Sequence, residues 1–83
     1  MATRKMSGLD HAAATHIRVL AARRNMKQAD VADAAEIPRA TFERYWNEKR
    51  SMTLGDLERV LTALDTSWEQ EAQHIRAILQ AGE

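Results

Sequence analysis

The chain has 83 residues, which is the size of one small domain with a single hydrophobic core. Hydrophobic residues make up 45% of it and charged residues 29%, a composition that argues against disorder. The net charge is zero, but residues 1–50 carry ten basic and six acidic side chains (+4), and residues 51–83 carry two and six (−4). The basic first part of the chain could bind a polyanion despite the zero net charge, because the local electrostatic field rather than the net charge steers association.

Several function classes are excluded or disfavoured. With no cysteine, the chain cannot form disulfides, cysteine-ligated zinc sites or a thiol nucleophile. No apolar run approaches the ~20 residues of a membrane span, and residues 1–8 lack the apolar stretch of a signal peptide, so we expect a cytoplasmic protein. We find no glycine-rich phosphate loop, no nucleophile beside a base and no paired carboxylate in an apolar setting, so we expect neither an enzyme nor a cofactor. His11, His16 and His74 share no metal-ligand spacing, which predicts surface histidines and no metal.

Three glycines and one proline leave few turn-forming residues for a sheet, which favours an all-α fold. Residues 1–8 are predicted to be a flexible arm, and residues 9–83 a single domain. The apolar spacing predicts five short helices at about residues 10–24, 28–35, 38–47, 54–64 and 68–80.

Polar residues mark the predicted helix ends. Asp10 is expected to cap the first helix, and Asn25 suits the left-handed position that closes it. Thr53 and Ser67 are expected to cap the fourth and fifth helices. The side chains expected in the core are Ile17, Leu20, Val31, Ile37, Phe42, Leu54, Leu57, Val60, Leu61 and Leu64.

The second and third helices form a predicted helix-turn-helix, with a turn of about four residues between them. The small Ala32 lies where the two helices would cross closely. Ile37 follows the turn as a buried side chain, and Phe42 and Tyr45 face the core from the third helix. Smallness at the crossing and bulk at the other positions are what this geometry requires.

The stretches IRVLAARRNMKQADVADAAEIPRATFERYWNEKR and MTLGDLERVLTALDTS carry these features in order. Over residues 17–67 the chain resembles the lambda Cro/repressor-type (XRE-like) helix-turn-helix family. The resemblance implies a compact five-helix lambda-repressor-like domain that binds DNA. The chain departs from the family at the turn, where Glu36 replaces the usual glycine at a positive φ, and at Pro38, which replaces the usual serine-like cap.

In this family the recognition helix enters the major groove, and the resemblance therefore implies which residues contact DNA. The candidates for base contacts are Arg39, Ala40, Glu43, Arg44 and Asn47. The candidates for phosphate contacts are Gln28, Thr41, Lys49 and Arg50. Arg4 and Lys5 belong either to an arm that reaches the minor groove or to a disordered tail. Trp46 either packs over the fourth helix or lies against a sugar-phosphate strand.

The leading interpretation is a sequence-specific double-stranded DNA-binding transcriptional regulator, a phage-type repressor or Cro-like protein. One recognition helix contacts few base pairs, so we expect a homodimer, weak without DNA, on a palindromic operator. The residues considered for the dimer contact are Trp68, Ile75, Ile78 and Leu79, with Ile75 and Leu79 also able to cover the first helix. The alternative is a protein-interaction module, such as an antitoxin or a host-factor-binding phage protein, that reuses the fold.

Overall fold

A computed structural model describes residues 8–82 of the chain, and these residues form five helices and no strand. The helices are α1 (Gly8–Arg23), α2 (Gln28–Ala34), α3 (Arg39–Trp46), α4 (Leu54–Ala63) and α5 (Trp68–Ala81). The all-α, five-helix class is therefore confirmed. None of these helices is long and apolar enough to cross a membrane.

The start of α1 differs from the prediction. The helix begins at Gly8, which the sequence pattern assigns to the arm, and Asp10 lies in the first helical turn instead of at the cap. There the carboxylate lies near the positive end of the helix dipole and accepts a hydrogen bond of 2.9 Å from the Ser51 hydroxyl. Arg4 and Lys5, the predicted arm residues, lie outside the described part of the chain.

The first four helices all end in the same way. Each is followed by a non-glycine residue with a positive φ: Asn25 (54°), Glu36 (58°), Glu48 (60°) and Asp65 (59°). The next amide in each case donates to a carbonyl five residues back, in the pairs Met26–Ala21, Ile37–Ala32, Lys49–Arg44 and Thr66–Leu61, at 2.8–3.0 Å. This is the Schellman motif, in which glycine is usually preferred. The left-handed positions predicted at Asn25 and Glu36 are confirmed.

The predicted caps at the other end of α4 and α5 are also present. The Thr53 hydroxyl accepts from the Asp56 amide at 3.0 Å, and the Ser67 hydroxyl accepts from the Gln70 amide at 3.4 Å. These bonds satisfy amides that have no partner inside the helix.

Two apolar clusters hold the helices together. The larger cluster holds the first four helices together. It contains Ile17, Leu20, Ala21, Val31, Ala32, Ala35, Ile37, Phe42, Tyr45, Val60, Leu61 and Leu64. The smaller cluster joins α1 to α5 through Ala12, Ala13 and Ile75. The prediction that Leu54 is buried was wrong, because this first residue of α4 points away from the core and is 85% exposed. Leu57 is half-buried against the larger cluster.

A polar contact also joins α1 to α5. His16 is buried, with 5% of its surface exposed, and its Nε2 lies 2.6 Å from Oε1 of Glu71. The prediction of a surface histidine was therefore wrong for His16. The spacing of the three histidines gave no sign of burial at position 16, but α5 covers that side of α1.

Candidate nucleic-acid interface

The helix-turn-helix is built from α2, a four-residue turn (35–38) and α3. Ala32 is 1% exposed and Ile37 is 5% exposed, and both belong to the larger core cluster. Phe42 and Tyr45 are buried on the inner face of α3. These residues fix α3 against the rest of the domain, so its opposite face is presented outward.

That outer face carries the predicted base-contacting residues. Arg39, Ala40, Glu43, Arg44 and Asn47 are all exposed. With about 100° of rotation per residue, these five positions span roughly 140° of the helix circumference, so one groove can accommodate them together. Asn47 directly follows the last helical residue.

Arg39 is held by a residue of α2. Its Nε donates to Asp33 Oδ1 at 3.0 Å, and its Nη2 donates to Asp33 Oδ2 at 2.6 Å. The hydrogen bonds from Arg39 lower the pKa of Asp33, and the same contacts raise the pKa of Arg39. Both side chains remain largely exposed, at 68% for Arg39 and 55% for Asp33. Asp33 thus occupies the donor edge formed by Nε and Nη2 and orients the guanidinium, while the edge formed by Nη1 and Nη2 makes no contact with Asp33.

The middle of α3 is tied to the beginning of α4. The Tyr45 hydroxyl donates to Asp56 Oδ2 at 2.5 Å. Burial of the ring, followed by this contact with a carboxylate, raises the pKa of Tyr45. The phenol therefore stays protonated and keeps donating across the physiological pH range.

The end of α3 is tied to α1. Arg18 donates from Nη1 to the Trp46 carbonyl at 2.7 Å and from Nη2 to Glu48 Oε2 at 2.9 Å. Glu48 Oε1 lies 2.5 Å from Nδ1 of His11. The contact with His11, together with that from Arg18, lowers the pKa of Glu48 against the opposing effect of partial burial. The sequence reasoning missed Arg18 and Glu48, because nothing in the local pattern links residues 30 positions apart.

Trp46 packs against the core from the end of α3. It is half-buried against the larger core cluster, and its ring centroid lies 6.0 Å from that of Phe42, with the ring planes tilted by 58°. This favours the packing interpretation of Trp46 over contact with a DNA strand.

The predicted phosphate-contacting residues flank the same face. Gln28 is the first residue of α2 and is half-buried, as is Thr41 in α3. Lys49 and Arg50 follow α3, and both are exposed. Within residues 8–82, Arg44 and Lys49 form no ion pair, so both charges are available to an anionic partner.

The four residues considered for a dimer contact do not share one surface. Ile75 is fully buried in the smaller cluster, which removes it as a dimer residue. Ile78 and Leu79 are half-buried and pack against the same cluster. Trp68 is 46% exposed and lies with Leu54 along a groove of about 690 Å³.

The fold and the outward basic face of α3 define a helix-turn-helix DNA-binding protein. Residues 16–70 match the Cro/C1-type HTH DNA-binding domain family, and the chain belongs to this family. The resemblance noted over residues 17–67 is thereby confirmed, as is the assignment to the class of DNA-binding regulators. Members of the family are typically non-enzymatic. Searches among curated proteins and among solved structures gave no significant match.

Proposed function

We propose that this protein is a sequence-specific transcriptional regulator, a phage-type repressor or Cro-like protein, that acts as a cytoplasmic homodimer on a palindromic operator. The observation that carries the proposal is the position of α3. Its inner face is anchored at Phe42 and Tyr45, while Arg39 and Arg44 extend from the exposed face.

The roles of the individual residues follow from their chemistry. Arg39 and Arg44 can donate in pairs to guanine O6 and N7, and the Ala40 methyl can contact a thymine methyl. Glu43 can accept from cytosine N4 or orient a neighbouring arginine, and Asn47 can donate to or accept from a base edge.

The phosphate contacts would set the register of α3 on the duplex. Lys49 and Arg50 supply charge beside the end of α3, and Thr41 supplies a hydroxyl on α3 itself. Gln28 supplies an amide at the first turn of α2, where free backbone amides also favour an anion.

The groove beside Trp68 supports a second copy of the chain as partner. Leu54 and Trp68 are large apolar side chains that residues 8–82 leave exposed, and they line one continuous groove with the half-buried Leu57. Apolar surface of this kind commonly marks a protein interface. A dimer would supply the second recognition helix that a palindromic site requires.

Selection of bound duplexes from a random pool tests the proposal. The expected product is an inverted repeat with half-sites about 10 base pairs apart, centre to centre. The same protein is then compared on the selected duplex and on a scrambled duplex across a salt series. Equal affinity for both would contradict sequence-specific binding, and a single half-site in the selected pool would contradict the dimer. Reporter expression from a promoter that contains the selected site then determines whether the protein represses.

A further inference from the structure

The contact between α1 and α5 contains three potential metal ligands, which we call the His–Glu–His cluster: His16, Glu71 and His74. Glu71 Oε1 lies 2.6 Å from His16 Nε2 and 3.1 Å from His74 Nδ1. One ligand atom from each residue lies within 4.8 Å of the other two. The centroids of the two imidazole rings are 5.4 Å apart.

We propose that the His–Glu–His cluster binds a divalent transition-metal ion of the Zn²⁺ type between α1 and α5. Two imidazole nitrogens and one carboxylate oxygen are a known three-residue ligand set for this ion, with a water molecule in the fourth position. Bonds of about 2.0–2.2 Å in a tetrahedral site place the ligand atoms roughly 3.3–3.5 Å apart. The distance from Glu71 Oε1 to His74 is already close to this value, and that from Glu71 Oε1 to His16 must lengthen by less than about 1 Å. The two imidazole nitrogens, which lie within 4.8 Å of each other, must approach by up to about 1.5 Å.

The surroundings of Glu71 favour a cation. Polar groups of His16, Thr66 and His74 converge on the Glu71 carboxylate, which makes it the central acceptor of the cluster. The Thr66 hydroxyl donates to Oε2 at 2.5 Å, which leaves Oε1 facing the two imidazoles. A partner of this kind on the second oxygen is the usual way in which proteins orient a ligating carboxylate.

The cluster also has a route for the ion. His16 and Glu71 are buried, whereas the side chain of His74 is 64% exposed. An ion can therefore enter at His74, and water can complete its coordination from the same side. On binding, the ion takes the place of the hydrogen between each imidazole nitrogen and Glu71 Oε1, and each ligating imidazole carries its single ring proton on the other nitrogen, Nδ1 in His16 and Nε2 in His74.

The ligand types select among metals. Imidazole suits Zn²⁺, Cu²⁺ and Ni²⁺, whereas Mg²⁺ and Ca²⁺ prefer sets of oxygen ligands. One carboxylate with two imidazoles therefore favours the first group.

Thermal unfolding of the full, tag-free chain tests the site. Protein treated with a chelator and then dialysed is heated alone, with ZnCl₂ and with MgCl₂. An ion that binds only the folded state at about 100 times its Kd should raise Tm by roughly 10 °C or more in a domain of this size. MgCl₂ should leave Tm unchanged. No rise in Tm with ZnCl₂ would overturn the proposal. The cluster would then be only a set of hydrogen bonds from His16 and His74 to Glu71.

Two variants separate the cluster from ordinary surface histidines. His74→Ala removes an exposed ligand and should abolish most of the Zn²⁺ shift while the metal-free Tm stays close to that of the parent. His11→Ala is the matched control, because His11 contacts a single carboxylate, Glu48, on another face of α1. It should retain the full shift. An equal shift in the parent and in His74→Ala would contradict the proposal.

Co²⁺ gives an independent measurement that does not depend on stability. Bound to the parent in place of Zn²⁺, it should show the visible absorption of a tetrahedral complex, and His74→Ala should lose that absorption. Absorption typical of six-coordinate aqueous Co²⁺ in the parent would contradict a tetrahedral site. Neither experiment involves DNA, so the outcome is independent of the proposed regulatory function.

Discussion

Arg39 and Asp33 form a two-point ion pair across the helix-turn-helix, with donor–acceptor distances of 3.0 and 2.6 Å. Arg39 is the first residue of α3, and Asp33 lies near the end of α2. The pair therefore places the arginine that is most suited to guanine in a defined position before DNA arrives. Asp33 uses the edge formed by Nε and Nη2, so the edge formed by Nη1 and Nη2 can donate to guanine O6 and N7 while the ion pair is kept.

The first prediction distinguishes base contacts from phosphate contacts. Arg39→Ala should cost about 1–3 kcal/mol on the selected duplex and relax the preference at one base pair. Lys49→Ala should weaken binding to all duplexes alike and make the log–log salt slope shallower by about one unit. Arg76→Ala, which removes an exposed charge from α5, is the control. If Arg39→Ala weakens all sequences equally, Arg39 contacts phosphate.

The second prediction concerns the partner of Arg39. Asp33→Ala removes a negative charge beside the face of α3 that we propose contacts DNA, so binding to every duplex should become tighter. Because Arg39 then loses the contact that orients it, discrimination between the selected and scrambled duplexes should fall. Fluorescence anisotropy with both duplexes measures the two effects together. Unchanged affinity for the scrambled duplex would show that Asp33 lies outside the field of the bound DNA.

The third prediction concerns the turn. A non-glycine residue in the left-handed conformation costs on the order of 1 kcal/mol, and Glu36 has φ 58° and an exposed side chain. Glu36→Gly should therefore stabilise the fold by up to roughly 1 kcal/mol, offset in part by the greater freedom of glycine in the unfolded chain. Urea denaturation gives the free energy of unfolding directly.

Glu48→Gly is the matched control for the turn. Glu48 has nearly the same φ, 60°, but its carboxylate contacts Arg18 and His11. The same substitution should therefore destabilise the protein, because the loss of these contacts exceeds the relief of strain. If both glycine variants are stabilised alike, the contacts of Glu48 contribute little.

Local chemistry explains how much of the fold could be predicted. The caps at Thr53 and Ser67 and the left-handed Asn25 depend on neighbours within five residues, so the sequence pattern contains them. Leu54 was wrongly predicted to be buried. Helical spacing shows that it shares a face of α4 with Leu57 and Leu61, but not that the neighbouring helices stop short of it. His16 was misplaced because its environment is set by α5, and its partner Glu71 is 55 residues away in the chain.

The candidate interface likewise contains features that the sequence predicts and contacts that it does not. The exposure of Arg39 and Arg44 follows from the spacing of Phe42 and Tyr45 on the same helix. The pairing of Arg39 with Asp33 joins two helices across the turn, and that of Arg18 with Glu48 requires the relative position of α1 and α3. Such contacts depend on how the helices pack in three dimensions. Local patterns in one sequence do not show which distant residues that packing brings together.

The fourth prediction is the pH dependence that Glu48 contributes. Its pKa in the folded protein lies below its ordinary value of 4.5, because His11 and Arg18 stabilise the carboxylate. A carboxyl group with a depressed folded-state pKa stabilises the fold above its unfolded pKa, and this contribution is lost as the pH falls through the folded-state value. Glu48→Gln should therefore lose less stability than the parent as the pH is lowered below about 4.5.

Urea denaturation at a series of pH values measures this difference. Glu58→Gln, which changes an exposed carboxylate of α4, is the control and should follow the parent. Parallel curves for the parent and Glu48→Gln would show that the contacts of Glu48 do not persist in solution.

The last prediction places the dimer contact at Leu54 and Trp68. These side chains are 85% and 46% exposed and lie along the same groove, whereas Ile78 packs against the cluster that joins α1 to α5. The double variant Leu54→Ala with Trp68→Ala should be monomeric and helical in sedimentation and circular dichroism. It should bind a full site poorly while retaining weak binding to a half-site.

Ile78→Ala is the control, since it should lower stability by about 1 kcal/mol through lost packing on α1 and leave association unchanged. Salt provides a second criterion. Residues 51–83 carry a net charge of −4 in each copy, so dimerisation brings like charges together, and the dimer should strengthen as salt screens their repulsion. If the double variant associates as strongly as the parent, the interface lies elsewhere. A dimer that weakens with salt would indicate an interface held by ion pairs instead of by Leu54 and Trp68.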